Sequence, residues 1–129
     1  MIVVTGPRLG PTAFSVPAGD KMRTIIPNLD RHLAACDLAL VQGGLKTCME
    51  LAAANTLFWY FPLRKHFEQN VHVAPRLGRY NVGRKIIFSD SGPDQIADAM
   101  VAELGFHRVS KPVAGDGAAH AARMLSALL

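Results

Sequence analysis

Five short apolar runs, Ile2 to Thr5, Met22 to Ile26, Leu38 to Val41, Leu57 to Phe61 and Lys85 to Phe88, alternate along the chain with stretches of helical periodicity. Runs of this length suit strands buried on both faces. Between them, Leu29 to Ala35, Leu45 to Ala54, His66 to Leu77 and Pro93 to Leu104 read as helices. The last has proline in its first turn and Ile96, Met100 and Leu104 at helical spacing. Alternation of this kind predicts an α/β fold, a parallel sheet with helices on both faces. Such sheets bind ligands outside the carboxyl ends of their strands. Gln42-Gly43-Gly44 and Phe61-Pro62-Leu63 both fall at such ends, so two segments converge on one rim.

Length and composition fit a single domain spanning residues 1 to 129. Half the residues are apolar, which excludes a mainly disordered chain, and 129 residues leave room for one modest core. No apolar run approaches the roughly 18 residues of a membrane span, and Met1 to Gly6 lacks the basic start and long apolar core of a signal peptide. A soluble, cytoplasmic protein is expected. Cys36 and Cys48 are the only cysteines, too few for a disulfide scaffold and outside any metal-ligand spacing, so buried thiols in a reducing compartment and no metal are expected.

Gly6 to Gly19 and Gly105 to Gly115 are rich in turn-forming residues and read as loops. Gly6-Pro7-Arg8-Leu9-Gly10 has no following helix and is not a dinucleotide fingerprint. Pro75, inside the His66 to Leu77 pattern, predicts a kink or two short pieces. A closing helix has Asp116 as its cap and Ala118, Ala121, Ala122, Leu125 and Leu129 on one stripe, which should dock on something apolar.

The formal net charge is +4, with Arg64, Lys65, Arg76, Arg79, Arg84 and Lys85 surrounding a single acid, Glu68. That field favours anionic ligands, although a solvated basic face would look the same. No aromatic-interleaved strand, zinc knuckle or recognition helix is present to read bases, so phosphate on a small ligand is the simpler partner and nucleic acid is not expected.

The glycine pair Gly43-Gly44 lets the backbone turn sharply into a helix whose free N–H groups can face a phosphate. Glu50 lies three residues after Thr47 on roughly the same helix face, where a ribose could follow a pyrophosphate. A purely structural alternative makes Thr47 a capping hydroxyl with Glu50 as its capping-box partner. That alternative leaves Glu68-Gln69-Asn70 without a role.

These residues resemble the donor-binding C-terminal domain of GT-B glycosyltransferases, which have two facing Rossmann-like domains, and especially the MurG-like branch. Gly43-Gly44-Leu45-Lys46-Thr47 followed by Glu50 is similar to the family's GGxxTxxE signature, Phe61-Pro62 to its strand-end proline, and Glu68-Gln69-Asn70 to its acidic/Gln-Gln-Asn box. Ile26-Pro27-Asn28-Leu29 through Ala34-Ala35-Cys36-Asp37-Leu38 resembles the approach to the signature. The likeness covers roughly Met22 to Leu104.

The resemblance implies a Rossmann-like sheet and a nucleotide-sugar ligand, most simply a UDP-sugar, with no further cofactor. Thr47 and the N–H groups around Gly44, Leu45 and Lys46 would hold the pyrophosphate, Glu50 would accept from the ribose hydroxyls, and Glu68 and Gln69, with Asn70, would meet the transferred sugar. Gln42 stands where many relatives carry histidine, so it offers an amide but no positive charge; Lys46 is the nearest substitute. Met1 to Gly6 resembles the family domain's second strand, so the first strand, its glycine-rich loop and the acceptor domain are expected to lie outside this sequence. The catalytic base is therefore unassigned, and any peripheral membrane association would come through the partner domain. His66 is the only histidine in the motif region and a candidate ligand contact, against a helix-capping role. His32, His72, His107 and His120 read as surface or packing residues and Asp37 as structural. The expected activity is sugar transfer from a nucleotide-sugar. The alternatives are a UDP-sugar epimerase of the same fold, a non-catalytic subunit of a two-chain transferase, and an unrelated phosphate- or nucleic-acid-binding module.

Overall fold

The computed structural model describes residues 1–10, 14–106 and 110–128. Residues 11–13 of the first loop, residues 107–109 of the second, including His107, and Leu129 of the terminal stripe lie outside the described residues. The elements follow the expected alternation: β1 (Ile2–Val4), β2 (Lys21–Arg23), α1 (Leu29–Ala34), β3 (Ala39–Val41), α2 (Leu45–Ala53), β4 (Phe58–Tyr60), a π-helical turn (Glu68–Val73) running into α3 (Ala74–Tyr80), β5 (Arg84–Lys85), a 3-10 turn (Phe88–Asp90), α4 (Pro93–Glu103) and α5 (Gly117–Ser126). Every strand pair is parallel. The fold is mixed α/β, with parallel sheets flanked by helices.

The strands form two sheets, β1-β2 and β3-β4-β5. Among the described residues, β1 pairs with β2 alone and β3 with β4 alone. In the doubly wound order 3-2-1-4-5-6, removing strand 1 leaves two blocks of this kind.

Strand β4 supplies both faces of the larger sheet. Phe58 and Tyr60, two residues apart, point to one side and pack with Ala39, Cys48, Leu51, Ala52, Val73 and Leu77 beneath α2 and α3. Trp59 points to the other and is also fully buried. Its Nε1–H donates to Glu103 Oε2 at 2.7 Å, and the Arg84 guanidinium lies 4.8 Å from its ring centroid while pairing with Glu103 Oε1 at 2.5 Å. The end of α4 is thereby fixed to the second face, and helices cover both. Gly83 turns α3 into β5 at φ +69°, and a β-carbon there would stand 2.6 Å from the Phe58 ring. Only glycine fits that approach.

Several expectations are corrected. Only β4 is buried at every position; β1, β2 and β5 have no buried residue, and Leu40 of β3 is 42% exposed. The second face is closed around Trp59 and Ile86, and Leu40 lies beyond that cover. Strand β5 ends at Lys85, because the chain then bends into the 3-10 turn that leaves Phe88 exposed. At Pro75, by contrast, the expected two short pieces are seen, the π turn Glu68–Val73 and α3. The helix runs as a wider π turn up to Val73 and tightens to α at Ala74, so the proline stands in the first turn of α3 where its missing N–H costs least. Helix α5 has no buried residue; Asp116 stands at its N-cap as expected, but the side chain makes no capping hydrogen bond and its carboxylate lies 3.9 Å from Arg123 instead. Among the described residues, no helix is long and apolar enough to cross a membrane.

Both cysteines are free, Cys48 fully buried and Cys36 half-buried. Burial pushes the Cys48 thiol from 9.0 up to about 11. Below the lower value both folded and unfolded chains keep the proton, so the thiol adds no pH dependence. Between about 9 and 11 the unfolded chain releases it and the folded chain retains it, so stability falls as pH rises, by at most about 1.4 kcal/mol per pH unit for one group. Urea midpoints measured across this alkaline range should fall more steeply for the wild type than for Cys48→Ala. Parallel slopes would show that the thiol is not held in a desolvated site.

Candidate functional site

The carboxyl ends of β3 and β4 are locked together by a glycine. Gly43 adopts φ +81°, and a β-carbon on it would meet Tyr60 Cδ2 at 3.3 Å and the Pro62 backbone at 3.5 Å. The turn out of β3 therefore lies against the chain leaving β4, and the two segments form one rim as the sequence predicts. Gly44 is extended (φ −66°, ψ 135°) and is the N-cap of α2; its carbonyl accepts the first helical hydrogen bond from the Cys48 N–H at 3.0 Å. No side chain caps this end, and no atom lies within 4 Å of where a Gly44 β-carbon would be. The N–H groups of Leu45, Lys46 and Thr47 thus have no partner within the helix and open onto free space at its positive end.

Leu45 packs its side chain against the core and so fixes the angle at which the helix leaves the rim. Thr47 lies within the first turn, and its hydroxyl takes part in none of the hydrogen bonds formed by the described residues. The capping-box alternative is thereby corrected: the cap is Gly44, three residues ahead of Thr47. Glu50 stands one turn further on, 35% exposed at its side chain, with Lys46 Nζ 3.7 Å from Oε1. Lys46 is 90% exposed, so this pair is a weak surface contact that a ligand can displace. Gln42 is exposed at the end of β3.

The Glu68-Gln69-Asn70 box behaves in two ways. Gln69 is buried, and its Oε1 accepts from the Leu63 N–H at 2.8 Å. Asn70 Nδ2 donates to the carbonyls of Leu63 and His66, each at 2.9 Å. Together these two amides clamp the loop that leaves β4. Glu68 is exposed and enters no ion pair among the described residues. His66 is also exposed; its carbonyl is used by Asn70, and the cap of the π turn is Phe67, so the imidazole does not cap that helix.

Sequence reasoning missed the clamp. Its trace is a Gln-Asn pair shortly after a strand-end proline, since a buried amide must find backbone partners nearby. It also counted Arg84 in the free basic field, whereas Glu103 neutralises that charge. A second hollow, of about 230 Å³, opens at the opposite rim among Asp37, Asn55, Thr56 and Ser110, away from these motifs. Asp37 therefore stands apart from the candidate site. Among the described residues no group of three or more His, Cys, Asp or Glu side chains could hold a metal ion.

No protein-family model and no curated protein matches the chain. Among solved structures it is similar to a crystal structure described as the glycotransferase of kitacinnamycin, with a TM-score of 0.62 at 17% sequence identity over 80% of this chain. The match spans 26% of that protein's chain, about a quarter of its length. At this identity the likeness establishes the fold, that of a glycosyltransferase-like Rossmann domain.

The loop clamp makes a direct claim about Gln69. Replacing it with alanine removes the acceptor of the Leu63 N–H, so Gln69→Ala should lower unfolding stability by about 1 to 3 kcal/mol and speed hydrogen exchange at the Leu63 amide. An unchanged exchange rate at Leu63 would remove the clamp.

Proposed function

We propose that this chain is the donor-binding part of a glycosyltransferase, most closely of the MurG-like branch, taking a nucleotide-sugar and most simply a UDP-sugar. The observation that carries the reading is the uncapped start of α2 on a rim shared with the free carboxylate of Glu68, within a fold that a glycotransferase also adopts. In this reading the pyrophosphate lies on the N–H groups of Leu45, Lys46 and Thr47, with the Thr47 hydroxyl as a further donor. Glu50 accepts from the ribose hydroxyls one turn deeper, which requires Lys46 to exchange Glu50 for the phosphate. Glu68 accepts from sugar hydroxyls, while Gln69 and Asn70 hold the loop that presents it. His66 and Gln42 flank this space.

The chemistry assigned to these residues is electrostatic. As the bond from sugar to diphosphate breaks, negative charge grows on the leaving group, and the fixed N–H dipoles of α2 with Lys46 stabilise it. Deprotonation of the acceptor hydroxyl needs a base brought by another domain or subunit, and the two must be held in register for transfer. Alone, the chain should turn over little. A cytoplasmic location fits the donor class and the two free thiols.

The split sheet supports a further element of the reading: a parallel strand from outside these 129 residues stands between β1 and β3. It rests on the strand order. Coding sequence upstream of Met1 should carry, in frame, an apolar run followed by a glycine-rich turn; a stop codon directly upstream would overturn a single-chain enzyme in favour of a two-chain one.

The donor site is tested with Glu50→Ala. The surface pair with Lys46 contributes only tenths of a kcal/mol to folding, so the melting temperature should barely move. UDP affinity measured by calorimetry should fall about tenfold or more. Equal affinity in both proteins would refute the ribose role.

A further inference from the structure

A groove of about 240 Å³ runs from Glu68 along the π turn and α3, floored by Leu45 and Pro75 and walled by His72, Arg76 and Arg79. His72, Arg76 and Arg79 recur at helical spacing, so all three face one side. The His72 ring is held edge-on to Phe67 at 5.5 Å. Among the described residues neither Arg76 nor Arg79 forms an ion pair, in contrast to Arg84, which Glu103 neutralises. Two unneutralised guanidinium groups on one wall repel each other unless an anion lies between them. Planar forks of this kind match phosphate oxygens.

We infer that this groove is a phosphate-binding subsite for the acceptor substrate, an inference that rests on the donor-site reading above. Its volume lies below the roughly 300 to 1,000 Å³ of sites for whole drug-sized ligands, so it suits a phosphate group rather than a second nucleotide. Polarity sets the direction. The Glu68 carboxylate at one end repels an anion and accepts hydroxyls, whereas Arg76 and Arg79 attract one. Because Glu68 belongs to the sugar end of the donor site, a phosphate held by the arginines stands beside the transferred sugar, the position of an acceptor's charged group.

The test titrates inorganic phosphate into the full chain in the presence of excess UDP at low ionic strength, following backbone amides by NMR. Saturable shifts should cluster at His72, Arg76 and Arg79. In R76Q/R79Q, whose exposed side chains leave the fold intact, the phosphate affinity should fall about tenfold or more, while UDP-induced shifts from Gly44 to Glu50 persist. Equal phosphate titrations in the two proteins, or the same shifts with sodium chloride at matched ionic strength, overturn the subsite. If UDP shifts nothing near Gly44, the donor reading fails, and the phosphate titration still decides the groove.

Discussion

The three residues of β4 are the constraint from which the rest of the larger sheet is measured. Phe58 and Tyr60 build the core under α2 and α3, and Trp59 anchors α4 through Glu103 on the opposite face. A strand this short has three side chains to divide between two layers, so each neighbour must approach closely. Gly83 passes the Phe58 ring where no β-carbon fits, and Gly43 packs against Tyr60 and Pro62. The candidate site inherits its position from that second contact. Moving β4 would separate the two rim segments.

The site also divides its labour by burial. The buried amide of Gln69 and the partly exposed one of Asn70 spend hydrogen-bonding capacity on the loop, which leaves Glu68 and the uncapped N–H groups of α2 to face outward. Groups whose bonds are satisfied inside give precise placement; groups left unpaired in solvent can exchange water for a ligand at little cost. The same contrast separates Arg84, tied to Trp59 and Glu103, from Arg76 and Arg79 along their groove.

Legibility followed the range of the interaction. Strand and helix order came from runs and spacing within single segments, and the helix ends matched to within a residue for α1, α2 and α4. The turn at Gly43-Gly44 was readable because glycine permits a positive φ there. The π turn ahead of Pro75 was half readable: proline announces a disturbance, but its accommodation by widening the preceding turn depends on how Val73 and Leu77 must reach the core. The exposed α5 defeated its pattern, since an apolar stripe states what a helix can bury and not whether a surface is there to receive it.

By itself the sequence determined the α/β alternation, the rim on which the glycine turn and the strand-end proline meet, and the polar and charged residue types carried there. Those follow from local backbone preferences and side-chain chemistry. Tertiary structure alone decided that the sheet is divided between β1 and β3, that Gly44 rather than any hydroxyl caps α2, that Gln69 and Asn70 hold a loop, and that Glu103 removes Arg84 from the basic field. Each of these depends on distances between residues far apart or differently oriented in the chain, which only packing around β4 sets.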